Sequence, residues 1–126
     1  MPGPLVDTDV LIDYLRGLPK AASYLEGLSA PPSISVISVT ELYAGVRRGS
    51  EQRKLDAFVG AMQVVALDAD CSSLGGLFRR DYGPSHGVTL TDALIAASAS
   101  INKLDLVTLN KKHYPMLQKV LVPYRK

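Results

Sequence analysis

Five short apolar runs, spaced by segments of helical periodicity, limit most of all what this chain can fold into. They are Leu5-Val6, Ile34-Val36 with Ile37 as an optional extension, Val64–Leu67, Leu104–Leu109 and Val120–Val122. Each is too short to be a buried helix, and the first four are rich in the β-branched and aliphatic residues of strands. Between them, Val10, Leu11, Tyr14, Leu15 and Leu18 recur at helical spacing, with Asp9, Asp13 and Arg16 placed on the surface. Gly17 and Pro19 break that helix, and Ala21–Leu28 supplies another. Further helices are expected from Ser38 to near Arg48, around Leu55, Phe58, Val59 and Met62, over Asp68–Tyr82 up to Gly83-Pro84, and over Asp92–Ile101. Strands separated by helices pair in parallel through crossovers. The expectation is an α/β fold with a central parallel sheet of four to five short strands flanked by helices, some crossovers holding two helices.

At 126 residues the chain has room for one core, so residues 1–126 are read as a single domain. The net charge of +2 is too small to imply nucleic acid by itself, but the bases are paired: Arg47-Arg48, Arg53-Lys54, Arg79-Arg80, Lys111-Lys112 and Arg125-Lys126. Doublets of this kind also belong to ordinary solvated helix faces. The lone Cys71 cannot form an internal disulfide and reads as a small core residue in a reducing compartment. The start, Met-Pro-Gly-Pro, has no basic leader, and Ala93–Ile101 falls short of the roughly 20 residues of a membrane span. A cytoplasmic location without membrane contact is expected.

Acids sit where the elements begin and end. Asp7-Thr8-Asp9 follows the first strand, Glu41 starts the helix after the second, and Asp92 starts the helix before the fourth. Singly, each has a structural explanation. Asp9 or Thr8 can cap the first helix, Glu41 can close a capping box with Ser38, and Asp92 suits the positive end of its helix. Together they are harder to dismiss, because the carboxyl ends of strands in an open parallel sheet share one edge, where ligands bind. Helix Asp92–Ile101 is almost wholly apolar, so the acid at its start is held close to the core. Carboxylates gathered in a half-buried cleft repel one another, and a divalent cation removes the conflict. All-oxygen donors select magnesium or manganese, and His86, His113 and Cys71 are too scattered for a zinc site. Such a centre suits hydrolysis of phosphate esters.

The stretches Leu5–Ile12, Ile37–Val46, Leu90–Ala97 and Leu106–Asn110, in this order, resemble a PIN-domain ribonuclease, specifically a VapC-type toxin of a toxin–antitoxin pair. The resemblance implies a PIN-like sheet and a magnesium- or manganese-dependent endoribonuclease cutting structured RNA of the transfer or ribosomal class. It implies a homodimer and a small antitoxin partner as well. Carried over by position, Asp7, Glu41 and Asp92 are the catalytic metal ligands, with Thr8, Asp9, Thr108 and Asn110 around the metal or its waters. Many relatives carry an acid near Asn110, so the amide weakens the case for a second ion. On this reading some of Arg47, Arg48, Arg79, Arg80, Lys111 and Lys112 meet RNA phosphates. His86 is weighed as a weaker substrate contact, while Tyr14 and Tyr43 are assigned to the core.

Two other readings share the strand-then-acid pattern. A haloacid-dehalogenase-like phosphatase also has Asp-x-Asp after its first strand, but needs a late acidic pair where this chain has Asn110-Lys111-Lys112. A phosphorelay receiver needs an aspartate after a middle strand, whereas Asp56 falls inside a helical run.

Overall fold

The computed structural model describes residues 3–126. Met1 and Pro2, part of the stretch read as lacking a leader, lie outside the described residues. Five strands, β1 (Pro4–Val6), β2 (Ser33–Ser35), β3 (Gln63–Val65), β4 (Asp105–Val107) and β5 (Val120–Leu121), form one parallel sheet in the order β3-β2-β1-β4-β5. Helices α1 (Thr8–Leu15) and α2 (Pro19–Glu26) join β1 to β2, and α3 (Val36–Ala44) with α4 (Ser50–Gly60) join β2 to β3. Then α5 (Ala69–His86) and α6 (Leu90–Ile101) lead to β4, and a 3-10 turn over Lys111–His113 leads on to β5. The expected α/β class holds, double-helix crossovers included. No helix among the described residues is long and apolar enough to cross a membrane.

Side chains alternate across the strands, so neighbours in sequence feed two cores. Val6 and Val107 point to one face and pack with Val10 and Leu11 of α1, Leu42 of α3 and Leu55 of α4. Leu5 and Leu106 point to the other, against Ile95, Ala96 and Ala99 of α6 and the ring of Tyr114. Both faces are covered, which is why these strands read as unbroken apolar runs rather than alternating ones. Helices α5 and α6 approach closely because Gly75 has no side chain: a Cβ there would stand 2.6 Å from Leu94 Cδ2.

Several boundaries differ from the sequence reading. Val36 and Ile37 belong to α3, not β2, because the Ser35 hydroxyl accepts the Ile37 N–H and starts the helix there. Packing of the helix outweighs the strand preference of two β-branched residues. Ser38 therefore does not cap; it is buried within α3. Helix α5 runs past Gly83-Pro84 to His86. Pro84 lacks an N–H, but the last turn is closed by the Gly87 N–H on the Gly83 carbonyl, and Gly87 leaves the helix at φ +65°. Helix α6 begins at Leu90, with Thr89 as its cap. Strand β3 is Gln63–Val65 rather than Val64–Leu67, and β4 is confined to Asp105–Val107. Asp13 is not a surface residue; it is buried and holds Tyr124 Oη at 2.8 Å and Lys126 Nζ at 2.9 Å, which ties down the end of the chain.

Candidate active site

The sheet order reverses direction between β1 and β4, and the crevice beyond that point is where open α/β sheets bind ligands. Register decides which residues meet there. Val6 lies opposite Val107, so the next residues, Asp7 and Thr108, emerge side by side. The Thr108 hydroxyl donates to Asp7 Oδ2 at 2.8 Å, and the Thr8 N–H donates to Asp7 Oδ1 at 2.8 Å. Asp7, not Thr8 or Asp9, is thus the cap of α1. Asp9 accepts the Leu109 N–H at 3.0 Å from beyond β4 and the Val10 N–H at 2.8 Å.

Glu41 arrives from the β2 side. On α3, Ser38 and Glu41 are three residues apart and share a face. The Thr8 hydroxyl donates to Glu41 Oε1 at 2.7 Å and lies 2.8 Å from the Ser38 hydroxyl. Asp92 arrives from the opposite layer, at the third position of α6. It closes a capping box with Thr89, so it has a structural role at the start of the helix. The Tyr114 hydroxyl donates to Asp7 Oδ2 at 2.9 Å and lies 3.4 Å from Asp92 Oδ1. His113 Nδ1 stands 3.4 Å from the other Asp92 oxygen and 2.7 Å from the Asn110 amide.

The three acids are linked through their neighbours: the Tyr114 hydroxyl stands between Asp7 and Asp92, and Thr8 meets Asp7 with its backbone N–H and Glu41 with its hydroxyl. Among the described residues, no group of three or more Asp, Glu, His or Cys side chains is arranged to hold an ion as it stands. Carboxylates this close need a donor or a cation between them, and here hydroxyls fill that role. In kind, the donors suit a hard divalent ion, being carboxylates and hydroxyls with no thiolate. The electrostatics agree. Burial, helped by the charge of Asp9, pushes the Asp7 carboxyl up to about 6, against hydrogen bonds that pull it down. Burial likewise raises Asp9. Tyr114 is driven above the usual phenol range by burial and by the charges of Asp7 and Asp92. Two carboxylates, Asp7 and Asp9, held away from water in this way favour a positive partner.

Residues 5–116 match the PIN-domain family. The chain belongs to this family. It is 39% identical over 124 residues to ribonuclease VapC19 of Mycobacterium tuberculosis, covering 95% of this chain and 98% of the relative. In structure it is similar to a chain of a toxin–antitoxin complex from Klebsiella pneumoniae, with a TM-score of 0.86 and 25% identity over 98% of this chain and all of the other. A second neighbour is a chain of VapBC2 from Rickettsia felis bound to a promoter DNA fragment. There the TM-score is 0.78 and the identity 26%, over 94% of this chain and 96% of the other.

Within this PIN domain, Thr8, Asp9 and Thr108 lie among the three acids, as their position in the sequence suggested. Asn110 lies one step out and reaches Asp92 through His113. Among the basic candidates, Lys111 and Lys112 are exposed on the turn that carries His113 and Tyr114. Arg47 lies on a groove of about 700 Å³ whose wall includes Glu41, with Arg16 and Lys54 beside it. Arg48 is exposed just beyond it, in the connection to α4. Arg79 is folded back over Gly83, and Arg80 is engaged by Asp81 at 2.8 Å, so neither is brought to the acids by any contact. His86 lies exposed at the end of α5, against the Tyr82 ring. Tyr14 stacks on Phe58 and Tyr43 packs on the core, as expected. Tyr114 escaped the sequence reading, which takes Ser38 only as a cap and His113 only as a residue too isolated for zinc, not as neighbours of the acids. Their only signal was a polar or aromatic residue close to a motif already noticed, and nothing local said which way they point.

Proposed function

We propose that this chain is an endoribonuclease, the toxin of a toxin–antitoxin pair, and that it cuts structured RNA at a magnesium or manganese centre held by Asp7, Glu41 and Asp92. The observation that carries the reading is the meeting of Asp7 and Asp92 at one tyrosine hydroxyl, with Glu41 tied alongside through Thr8. When bound, a divalent ion polarises a phosphoryl oxygen and lowers the pKa of a bound water, the two things phosphodiester hydrolysis needs. The chain's own residues prepare for this. Thr108 and the Thr8 N–H fix both oxygens of Asp7, so its carboxylate cannot rotate away. Asp9, anchored on the Leu109 N–H, adds negative charge without drifting. Arg47, on the groove that includes Glu41, and the exposed Lys111-Lys112, on the turn that carries His113, support contact with an RNA backbone held at the acids. The VapC name of its relatives and the toxin–antitoxin complexes among its structural neighbours support an antitoxin partner. The homodimer comes from the family resemblance, and the cytoplasmic setting from the lone Cys71.

The receiver reading loses ground to the sheet order, because receivers place β1 between β2 and β3. Purified protein incubated with total RNA should cut it with manganese or magnesium and stop with a chelator. Asp7→Asn, Glu41→Gln and Asp92→Asn should each lose at least about 100-fold in rate, two tenfold steps in barrier. Cutting that continues in the chelator, or full activity in Asp7→Asn, would remove the mechanism. A phospho-aspartyl adduct from acetyl phosphate would point back to the receiver or phosphatase.

A further inference from the structure

We propose that the Tyr114 hydroxyl is a built-in competitor for the cation, bridging Asp7 and Asp92 so that an incoming ion must take Asp7 Oδ2 away from it. The inference rests on the metal-centre reading above, which takes Tyr114 only as the mark of where Asp7 and Asp92 meet and gives it no role towards the ion. Three observations support it. First, the hydroxyl stands on the path between the two acids, 2.9 Å from one and 3.4 Å from the other. Asp7 and Asp92 would both hold the ion, and a phenol proton already placed on Asp7 Oδ2 competes with it for that oxygen. Second, a phenol has one proton, so it can satisfy only one carboxylate fully, and the shorter contact says that this is Asp7. Third, the ring cannot step aside. It is 2% exposed and wedged among Leu5, Ile95, Ala96, Ala99 and Leu106. Its backbone is pinned as well, its N–H on the Lys111 carbonyl and its carbonyl on the Leu117 N–H. What yields on ion binding is therefore the hydrogen bond, not the ring.

Loss of this hydroxyl should have opposite effects with and without the ion. Titration of Mn²⁺ by calorimetry into wild type and Tyr114→Phe should show tighter binding to the variant by about tenfold or more, the worth of one hydrogen bond to a charged group. In a chelator, the same variant should melt below wild type, because Asp7 and Asp92 lose their shared donor. A residue with a packing role only would weaken or leave unchanged the affinity for the ion. Should the variant fold poorly, wild type labelled with ¹³C at tyrosine Cζ offers a second readout. The signal that trace Mn²⁺ broadens first should shift on titration with Mg²⁺, as its hydrogen bond to Asp7 is broken. Equal or weaker Mn²⁺ binding by Tyr114→Phe, or an unmoved Cζ signal, overturns the role of Tyr114 alone. Wild type that binds no Mn²⁺ overturns the metal centre and this inference with it.

Discussion

Replacing Asp7 by Asn should make the metal-free protein more stable while destroying its activity. Asp7 is 6% exposed, and its carboxyl is raised from 3.8 to about 6, chiefly by burial. An acid raised on folding binds its proton more tightly in the native state. Its contribution is therefore fully favourable below about pH 4 and is lost as pH climbs through about 6. At pH 7 the native state carries a buried charge it would rather not hold. Two pKa units at 1.36 kcal/mol each make that cost about 3 kcal/mol, an order-of-magnitude ceiling. Asparagine keeps the acceptor for the Thr8 N–H and presents an amide to Thr108 and Tyr114, whose hydroxyls can rotate to accept. For a domain of this size the gain corresponds to a melting point higher by up to roughly 10 °C. The assay is thermal or urea unfolding of both proteins in a chelator at several pH values. The gap should be largest above pH 6 and close towards pH 4. A variant less stable than wild type at pH 7, or a gap that does not change with pH, would refute the assignment of Asp7 as a charge held against its preference.

Gly75→Ala should destabilise by about 1–3 kcal/mol in urea unfolding, because the new methyl meets Leu94 Cδ2 at 2.6 Å and Leu94 Cα at 3.3 Å, forcing α5 off α6. Tyr124→Phe should cost about 1–2 kcal/mol at pH 7, since it removes a hydrogen bond from a buried carboxylate. Burial alone would raise Asp13, but Lys126 and Tyr124 hold it below its usual value, so this loss should fade as pH falls through that lowered range. In RNA binding without cleavage, replacing Lys111 and Lys112 by Ala should flatten the dependence of log affinity on log salt by about 1–2, with sequence preference unchanged. An unaltered slope would place both lysines away from the RNA.

Much of the site was legible without coordinates because strand ends in a parallel sheet share an edge. With Leu5-Val6 and Leu106-Val107 as strands, Asp7 and Thr108 fall on one edge; their meeting follows from β4 lying beside β1, and Glu41 comes from the second turn of α3 rather than from its start as the sequence suggested. The boundaries were less legible. Val36 and Ile37 have the composition of a strand, and only the seating of α3 on the sheet puts them in a helix. Pro84 looked like a stop, yet one missing N–H does not end a helix whose following turn is closed by Gly87.

Asp92 and Tyr114 mark the limit. That helix α6 carries an acid in its first turn is a property of its sequence; that this turn faces Asp7 depends on how α5 and α6 pack across the sheet. Residues 111–114 have no periodicity, so nothing local told their side chains apart. Tyr114 is brought to the acids because its ring fills the apolar space between Leu5, Leu106 and α6, and that space exists only once the layers are assembled. Local pattern chose the strands, the helices and the acids at their ends, since those depend on near neighbours along the chain. Which donor stands between the acids was decided by packing of residues far apart in sequence, where shape and burial outweigh local preference.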